Sequence, residues 1–349
     1  MRILLIEARG LGDAVISTKI VESLGAKYGK GSVDVWTRRE CREIFAGNPF
    51  VRNIYVSVFP IRIPGHSYVK AVFGSALKSL TLRRKGYQVT FSTSGDIREK
   101  LLQRLVGGNQ IAPFFSRDHD HFNMVRLGHW RAVNRAVQIP DKVVNKYEIV
   151  NELTRSLGLS PMPPRLYSVS AVPYGRKPDA RRVGLHIGAF QAIKTLPISR
   201  WLDLAKALTD NSHLVTVFSE PGGLSFETAE RFQSIGSRVR LVSGGLTLFL
   251  TELTECRLLI AGDTFAIHAA NAISVQTLML NGNIPPIFAP PKAYTLEGRG
   301  TCGNQPCWNK PTCLGTEHAV SCLRSINLSE IIDMVHRENM EPNATLERD

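Results

Sequence analysis

The stretch ILLIEARGLGDAVIST, residues 3–18, decides how the first half of the chain reads. Ile3 to Ile6 form an apolar run suited to a buried strand, and the turn that follows carries Gly10 and Gly12. AVISTKIVESL then has apolar residues on one helical face. A strand, a glycine turn and a helix N-terminus build a cradle for phosphate, because free backbone N–H groups and the helix dipole favour an anion there. Asp13 stands where that anion would sit, so this turn has another purpose. It is not a dinucleotide fingerprint, since Val15 replaces the third small residue, and it lacks the Lys-Ser/Thr of a P-loop. Two compatible readings of Asp13 follow. It caps the helix, or it is a general base at the carboxyl end of a parallel strand, where open α/β sheets place their sites.

The same alternation extends outward from this stretch. SVDVW and QVTFST read as strands, VISTKIVESLGAKYG and KAVFGSALKSLTLRRKG as helices, and a βαβα order implies a parallel sheet covered on both faces. A proline-rich stretch from Pro161 to Pro178 has no sustained periodicity and marks a linker. The pattern then restarts. RVGLHIG is a strand, SRWLDLAKAL a helix opened by Ser199, HLVTVFSE a strand, RLLIAGDT a strand entering the helix FAIHAANA, and VQTLMLNG another strand. The expected organisation is a basic Rossmann-like domain over 1–160, a linker over 161–181 and a second Rossmann-like domain over 182–330. A C-terminal helix and tail over 331–349 would return across the cleft that the two domains face.

Composition bounds the function. The chain has 349 residues, 43% hydrophobic and 21% charged, which is ordinary for a globular protein. No apolar run approaches the roughly 20 residues of a membrane-spanning helix, and ILLI is too short for a signal-peptide core. The chain therefore reads as cytoplasmic. Its net charge of +13 is uneven: residues 1–160 hold 25 Lys+Arg against 13 Asp+Glu, and the remainder is nearly neutral. Arg62, Lys70, Lys78, Arg83, Arg84 and Lys85 follow one another with no acid among them. Such a half attracts an anionic partner or is simply a solvated basic face. A nucleic acid is not expected, because the basic half lacks interleaved aromatics or a recognition motif.

Three further groups could carry chemistry. Lys194 lies in a loop between a strand and a helix, where it can pair with a phosphate or be one more surface lysine. In AGDTFAIHAANA, Asp263 ends a strand, Thr264 opens a helix and His268 lies one turn on. That arrangement can cradle a pyrophosphate, although His268 alone would also suit helix–sheet packing. Cys302, Cys307, Cys313 and Cys322 cluster with the spacing C-x4-C-x5-C-x8-C. They can hold a structural zinc or iron, form disulfides or remain free thiols. Cys41 and Cys256 are isolated packing residues, and the Asp118–His121 run reads as a polar loop before a metal site.

Taken in order, RILLIEARGLGDAVIST, VGLHIGAFQAIKTLPISRWLDLAKAL and LLIAGDTFAIHAANAISVQTLMLNGNIPP resemble the motif segments of glycosyltransferase family 9, the ADP-heptose:lipopolysaccharide heptosyltransferases and their relatives. The resemblance implies an α/β GT-B fold, two Rossmann-like domains with parallel sheets facing a central cleft. It implies an inverting transferase that moves a heptose from an ADP-linked donor to a hydroxyl of an anionic glycan or glycolipid, such as the lipopolysaccharide inner core, at the inner membrane surface. By position, Asp13 matches the catalytic base, and Lys194, Asp263, Thr264 and His268 match the donor site. Glu220 matches the acid that binds the donor ribose, with Glu227 as its rival. Arg62, Arg83, Arg84 and Lys85 would then serve the acceptor or the membrane.

No catalytic metal is expected, since cations and dipoles are available for the leaving diphosphate. The sequence departs from the family pattern at Glu7, often basic there, at Arg9 and Gly10, usually small hydroxyl residues, and at Phe265, usually Gly. The alternatives are a related transferase with another nucleotide sugar or a soluble natural-product acceptor, and a basic nucleic-acid-binding protein with a metal ribbon at 302–322.

Overall fold

The alternating pattern becomes two six-stranded, all-parallel sheets in the computed structural model. The structure describes residues 1–60, 67–114, 133–140, 143, 145–167, 178–189, 191–282, 288–302, 307 and 311–337. The chain divides into two units, Met1–Ser168 and Val169–Asp349.

The first unit runs β1 (Ile3–Glu7), α1 (Leu11–Tyr28), β2 (Val33–Thr37), α2 (Arg42–Phe45), β3 (Val51–Val56), α3 (Tyr68–Arg83), β4 (Val89–Ser92), α4 (Ile97–Val106), β5 (Asn109–Phe114), β6 (Arg135–Gln138) and α5 (Lys146–Ser156). Its strand order is β3-β2-β1-β4-β5-β6. The order reverses direction between β1 and β4, and ligands of open α/β sheets bind at the carboxyl end of such a switch point. Ile3 to Ile6 are fully buried because both faces of this central strand are covered. The β3, β5 and β6 strands were not expected from the sequence. They lie toward the sheet margins and carry mixed residues such as VRNIYV and RAVQ, so no apolar run announces them.

The second unit runs β7 (Asp179–His186), α6 (Ile198–Asp210), β8 (Leu214–Ser219), α7 (Phe226–Gln233), β9 (Val239–Ser243), α8 (Leu246–Leu253), β10 (Cys256–Gly262), α9 (Phe265–Ala272), β11 (Gln276–Asn281), β12 (Ala293–Glu297), α10 (Ser321–Arg324) and α11 (Leu328–His336). Its order, β12-β11-β10-β7-β8-β9, repeats the same topology with the switch point between β7 and β10. Trp201, Leu204 and Leu208 of α6 pack on Val183, Leu185 and Val215 of the sheet. The α6 helix starts at Ile198 after Pro197, one residue before the expected Ser199 cap.

Three boundaries differ from the sequence reading. The start of the proline-rich stretch belongs to the first unit: the backbone N–H groups of Met162 and Arg165 donate to the hydroxyls of Ser23 and Thr18, and the Tyr167 hydroxyl donates to Glu22. Prolines cannot continue a sheet, yet here the remaining backbone donors find side-chain acceptors on α1. The strand β7 begins at Asp179, inside the span read as linker. At the other end, Ile331, Met334 and Val335 of α11 are buried in the core of the second unit, so this helix is part of that unit.

Candidate functional site

Each switch point gathers polar side chains, some of them from segments far apart in the chain. In the first unit the turn after β1 leads into α1, whose N-cap is Gly10 and makes no side-chain cap bond. Asp13 is therefore not the cap. It is the third residue of the helix, about 28% exposed, with its charge near the positive end of the helix dipole. Lys146, the first residue of α5, places its buried ammonium 3.6 Å from the Asp13 carboxylate. The same ammonium donates to the Thr93 carbonyl at 2.8 Å.

Beneath Asp13 lies Glu7, at the end of β1 and fully buried. Its carboxylate accepts from the Arg9 backbone N–H at 3.0 Å and the Thr93 hydroxyl at 2.8 Å, and also from the Ser17 hydroxyl. Burial pushes the Glu7 carboxyl above its ordinary value, and the charge of Asp13 adds to the shift, while Lys146 and the two hydroxyls oppose it. Glu7 and Arg9, where the sequence departs from the family pattern, thus have structural partners. The cation beside Asp13 comes from α5, 139 residues after β1 ends. Sequence reasoning missed Lys146, because nothing in KYEIVNELTRS distinguishes a buried lysine from a surface one.

The acidic layer continues at the start of α4. Burial tends to raise Asp96, but a forked pairing with the Arg98 guanidinium and the charge of Arg9, 3.4 Å away, hold it below its ordinary value. Glu99 is pushed up to about 8 by burial first and by Glu7 second, against the pull of Arg9. An unfolded chain releases this proton near 4.5, whereas the folded protein keeps it until about 8. The contribution of neutral Glu99 is therefore fully present below 4.5 and declines as pH rises toward 8. Glu99→Gln should leave the melting temperature nearly unchanged at acidic pH and raise it at about pH 8 by a few degrees. A difference that stays flat across that range would mean that Glu99 is ionised in the fold and held by Arg9.

In the second unit, the loop after β7 carries Lys194 and the end of β10 leads into Asp263. Their side chains meet at 2.9 Å, with Asp263 buried and Lys194 mostly so. Gly262 makes this possible: a Cβ there would lie 1.7 Å from the Lys194 carbonyl oxygen, so only glycine lets the loop lie against the strand end. Thr264 is the N-cap of α9, and its buried hydroxyl has no hydrogen-bond partner among the described residues. A helix N-terminus, an orphaned hydroxyl and a partly exposed lysine thus converge at the carboxyl edge of this sheet.

The remaining donor-side residues are placed as follows. His268 is buried one turn into α9. Phe265 packs on Phe249 at 5.4 Å and faces His186 at 6.5 Å between ring centroids. Burial holds the His186 imidazole down to about 4, so this ring is neutral at ordinary pH. Glu220 follows β8 and is exposed at the same edge of the sheet as Lys194, and Glu227 is exposed in the first turn of α7.

The basic and cysteine clusters lie elsewhere. Arg83, Arg84 and Lys85 are exposed at the carboxyl end of α3, and the Lys85 carbonyl accepts from Arg2, just before β1. They stand at the amino-terminal edge of the first sheet, opposite the edge that carries Asp13. Arg62 and the Asp118–His121 run lie outside the described residues. Of the four clustered cysteines, Cys313 and Cys322 are buried and Cys302 and Cys307 half-buried. Cys322 is pushed up by burial first, and the other three cysteines add to the shift. Among the described residues, no three His, Cys, Asp or Glu side chains are arranged to hold a metal ion.

No protein-family model and no curated protein matches the chain by sequence. Solved structures do match. The E. coli heptosyltransferase WaaC with ADP-2-deoxy-2-fluoro heptose superposes with a TM-score of 0.71 at 14% identity, covering 96% of this chain and 99% of that one. The glycosyl transferase family 9 structure from Veillonella parvula gives 0.68 at 15% identity, over 95% of each chain. The E. coli ADP-heptose lps heptosyltransferase II gives 0.65 at 17% identity, over 96% and 98%. The chain has the α/β, two-sheet GT-B fold of these glycosyltransferases.

Proposed function

We propose that the protein is an inverting glycosyltransferase that moves a sugar, a heptose in our reading, from an ADP-linked donor to a hydroxyl of an anionic glycan or glycolipid. The observation that carries this reading is the division of labour between the two switch points. One offers a partly exposed carboxylate beside a buried cation, and the other offers a lysine and a helix N-terminus suited to a diphosphate. The similar heptosyltransferase structures with ADP and with an ADP-heptose analogue support the choice of donor.

In this reading Asp13 accepts the proton of the acceptor hydroxyl as its oxygen attacks the anomeric carbon. The bond from that carbon to the diphosphate oxygen breaks on the opposite face, and the electron pair leaves with the nucleoside diphosphate. Lys194 and the N-terminus of α9 stabilise the charge that develops there. Asp263 holds Lys194 until the donor arrives, and Glu220 takes the donor ribose. The test is a panel of nucleotide sugars, read by release of the nucleoside diphosphate with and without a lipopolysaccharide-core acceptor. Acceptor-dependent release of ADP from an ADP-heptose is the expected result, and turnover confined to another nucleotide sugar would replace the heptose in this reading.

The cysteine cluster supports a separate proposal, a structural zinc or iron held by Cys302, Cys307, Cys313 and Cys322. Its support is the sequence alone: four thiols within 21 residues can supply a tetrahedral site, and among the described residues their side chains are not gathered around one point to hold an ion. Elemental analysis of the purified protein should give close to one zinc or iron per chain, lost in Cys307→Ser. Metal-free protein with unchanged stability and four titratable thiols would dismiss it.

A further inference from the structure

The helix α3 faces the wrong way for one that meets only water. It buries Ala71, Ser75, Ser79 and Leu82, and both serines are fully covered. The large apolar side chains point outward: Val69, Phe73 and Leu77 are 62%, 67% and 65% exposed, and Val72 and Leu80 are exposed with them. An amphipathic helix on a protein surface ordinarily shows the opposite pattern. The buried stripe of small residues lets α3 lie close to its neighbours, with the Ser75 hydroxyl donating to the Val58 carbonyl and the Ser79 hydroxyl to the Ser75 carbonyl. The neighbouring α4, which packs against α3, adds exposed Leu101 and Leu105.

This apolar face is framed by positive charge alone. No Asp or Glu occurs between Glu43 and Asp96, a span that includes Lys70, Lys78, Arg83, Arg84 and Lys85. On α4, Asp96 and Glu99 are buried while Arg104 is exposed. A groove of about 640 Å³ beside α3 is lined by the apolar Val58 and Leu77 and by Lys70 and Lys78. At 16 residues the helix is roughly 24 Å long, short of a bilayer core, and no described helix is long and apolar enough to cross one.

We propose that α3 docks the first unit onto an anionic phospholipid bilayer, lying in the interface with Val69, Phe73, Leu77 and Leu80 among the acyl chains and the basic residues against the phosphates. Exposed apolar residues flanked by cations are what binding in the plane of such a surface requires. A second copy of this chain is a poorer occupant. A self-complementary contact would set cation against cation, and this face carries no exposed acid among the described residues to offset them. The inference is independent of the glycosyl-transfer reading and is tested without catalysis.

The experiment is co-sedimentation of the full chain with vesicles of mixed phosphatidylglycerol and phosphatidylcholine, beside vesicles of phosphatidylcholine alone. The wild type should bind the mixed vesicles at least about ten-fold more tightly, with the difference shrinking as salt is added. Two variants separate the contributions: Phe73→Ser with Leu77→Ser removes apolar contact, and Arg83→Gln with Arg84→Gln and Lys85→Gln removes charge. Each should weaken binding to mixed vesicles about ten-fold or more at an unchanged melting temperature, since all five side chains are exposed. Absence of binding at low salt would overturn the proposal, as would wild-type binding by the Phe73/Leu77 variant. Self-association lost on changing Phe73, without vesicle binding, would assign the face to a second copy instead.

Discussion

Asp13→Asn should lower kcat by roughly two to four orders of magnitude, the usual span for removing a general base. The substitution isolates the chemistry because Asp13 is not the helix cap. Gly10 holds that position without a side-chain bond, so no capping interaction is lost. What the helix loses is a favourable charge in its first turn, worth about 0.3–1 kcal/mol. The melting temperature should therefore move little, and Lys146 keeps its bond to the Thr93 carbonyl. Nucleoside diphosphate affinity should be retained, because the groups assigned to the donor lie in the second unit. Turnover, melting temperature and ADP affinity measured together decide the matter. Wild-type turnover in the variant would remove Asp13 from the mechanism, and a lost ADP affinity would mean that the two roles are not divided as proposed.

Lys194→Met should weaken ADP binding by roughly 10- to 100-fold, the worth of a charge-assisted bond to phosphate. In the absence of nucleotide it should also lower the melting temperature, because Asp263 is buried and its carboxylate would face an apolar thioether without a counter-ion. The two effects separate in Lys194→Met combined with Asp263→Asn. The stability loss should shrink, since no buried charge is stranded, while the loss of ADP affinity should persist. Calorimetric titration with ADP and thermal melting of all three proteins read both outcomes. If Lys194→Met binds ADP as tightly as wild type, the lysine is a structural partner of Asp263 and the diphosphate sits elsewhere.

Much of the candidate site was legible from local pattern. Asp13, Lys194, Asp263 and Thr264 all lie at the junction of an apolar strand and a helix, and such junctions are written in consecutive residues. The basic triad shows the limit of that approach. Arg83, Arg84 and Lys85 read as serving an acceptor or a membrane, and their position could not be read from the sequence: α3 runs back along the sheet and ends at the edge opposite Asp13. Glu7 likewise looked like a departure from pattern, and its meaning lay in Thr93, Ser17 and Lys146, none of them adjacent to it in the chain.

The sequence by itself determined the two parallel sheets, their glycine turns and which residues share a face of each helix. Those properties depend on periodicity and turn chemistry, which act over a few residues. Only the tertiary structure decided which face is covered and which charges meet. Helical spacing puts Val69, Phe73, Leu77 and Leu80 on one side of α3, but the small Ala71, Ser75 and Ser79 are the ones that fit against the rest of the unit. Lys146 reaches Asp13, and Lys194 reaches Asp263, because parallel strands with helical crossovers deliver distant segments to the same edge of a sheet. Coulomb interaction and burial act through space, so the pairing of these groups is a property of the packed chain and leaves no mark in the local sequence.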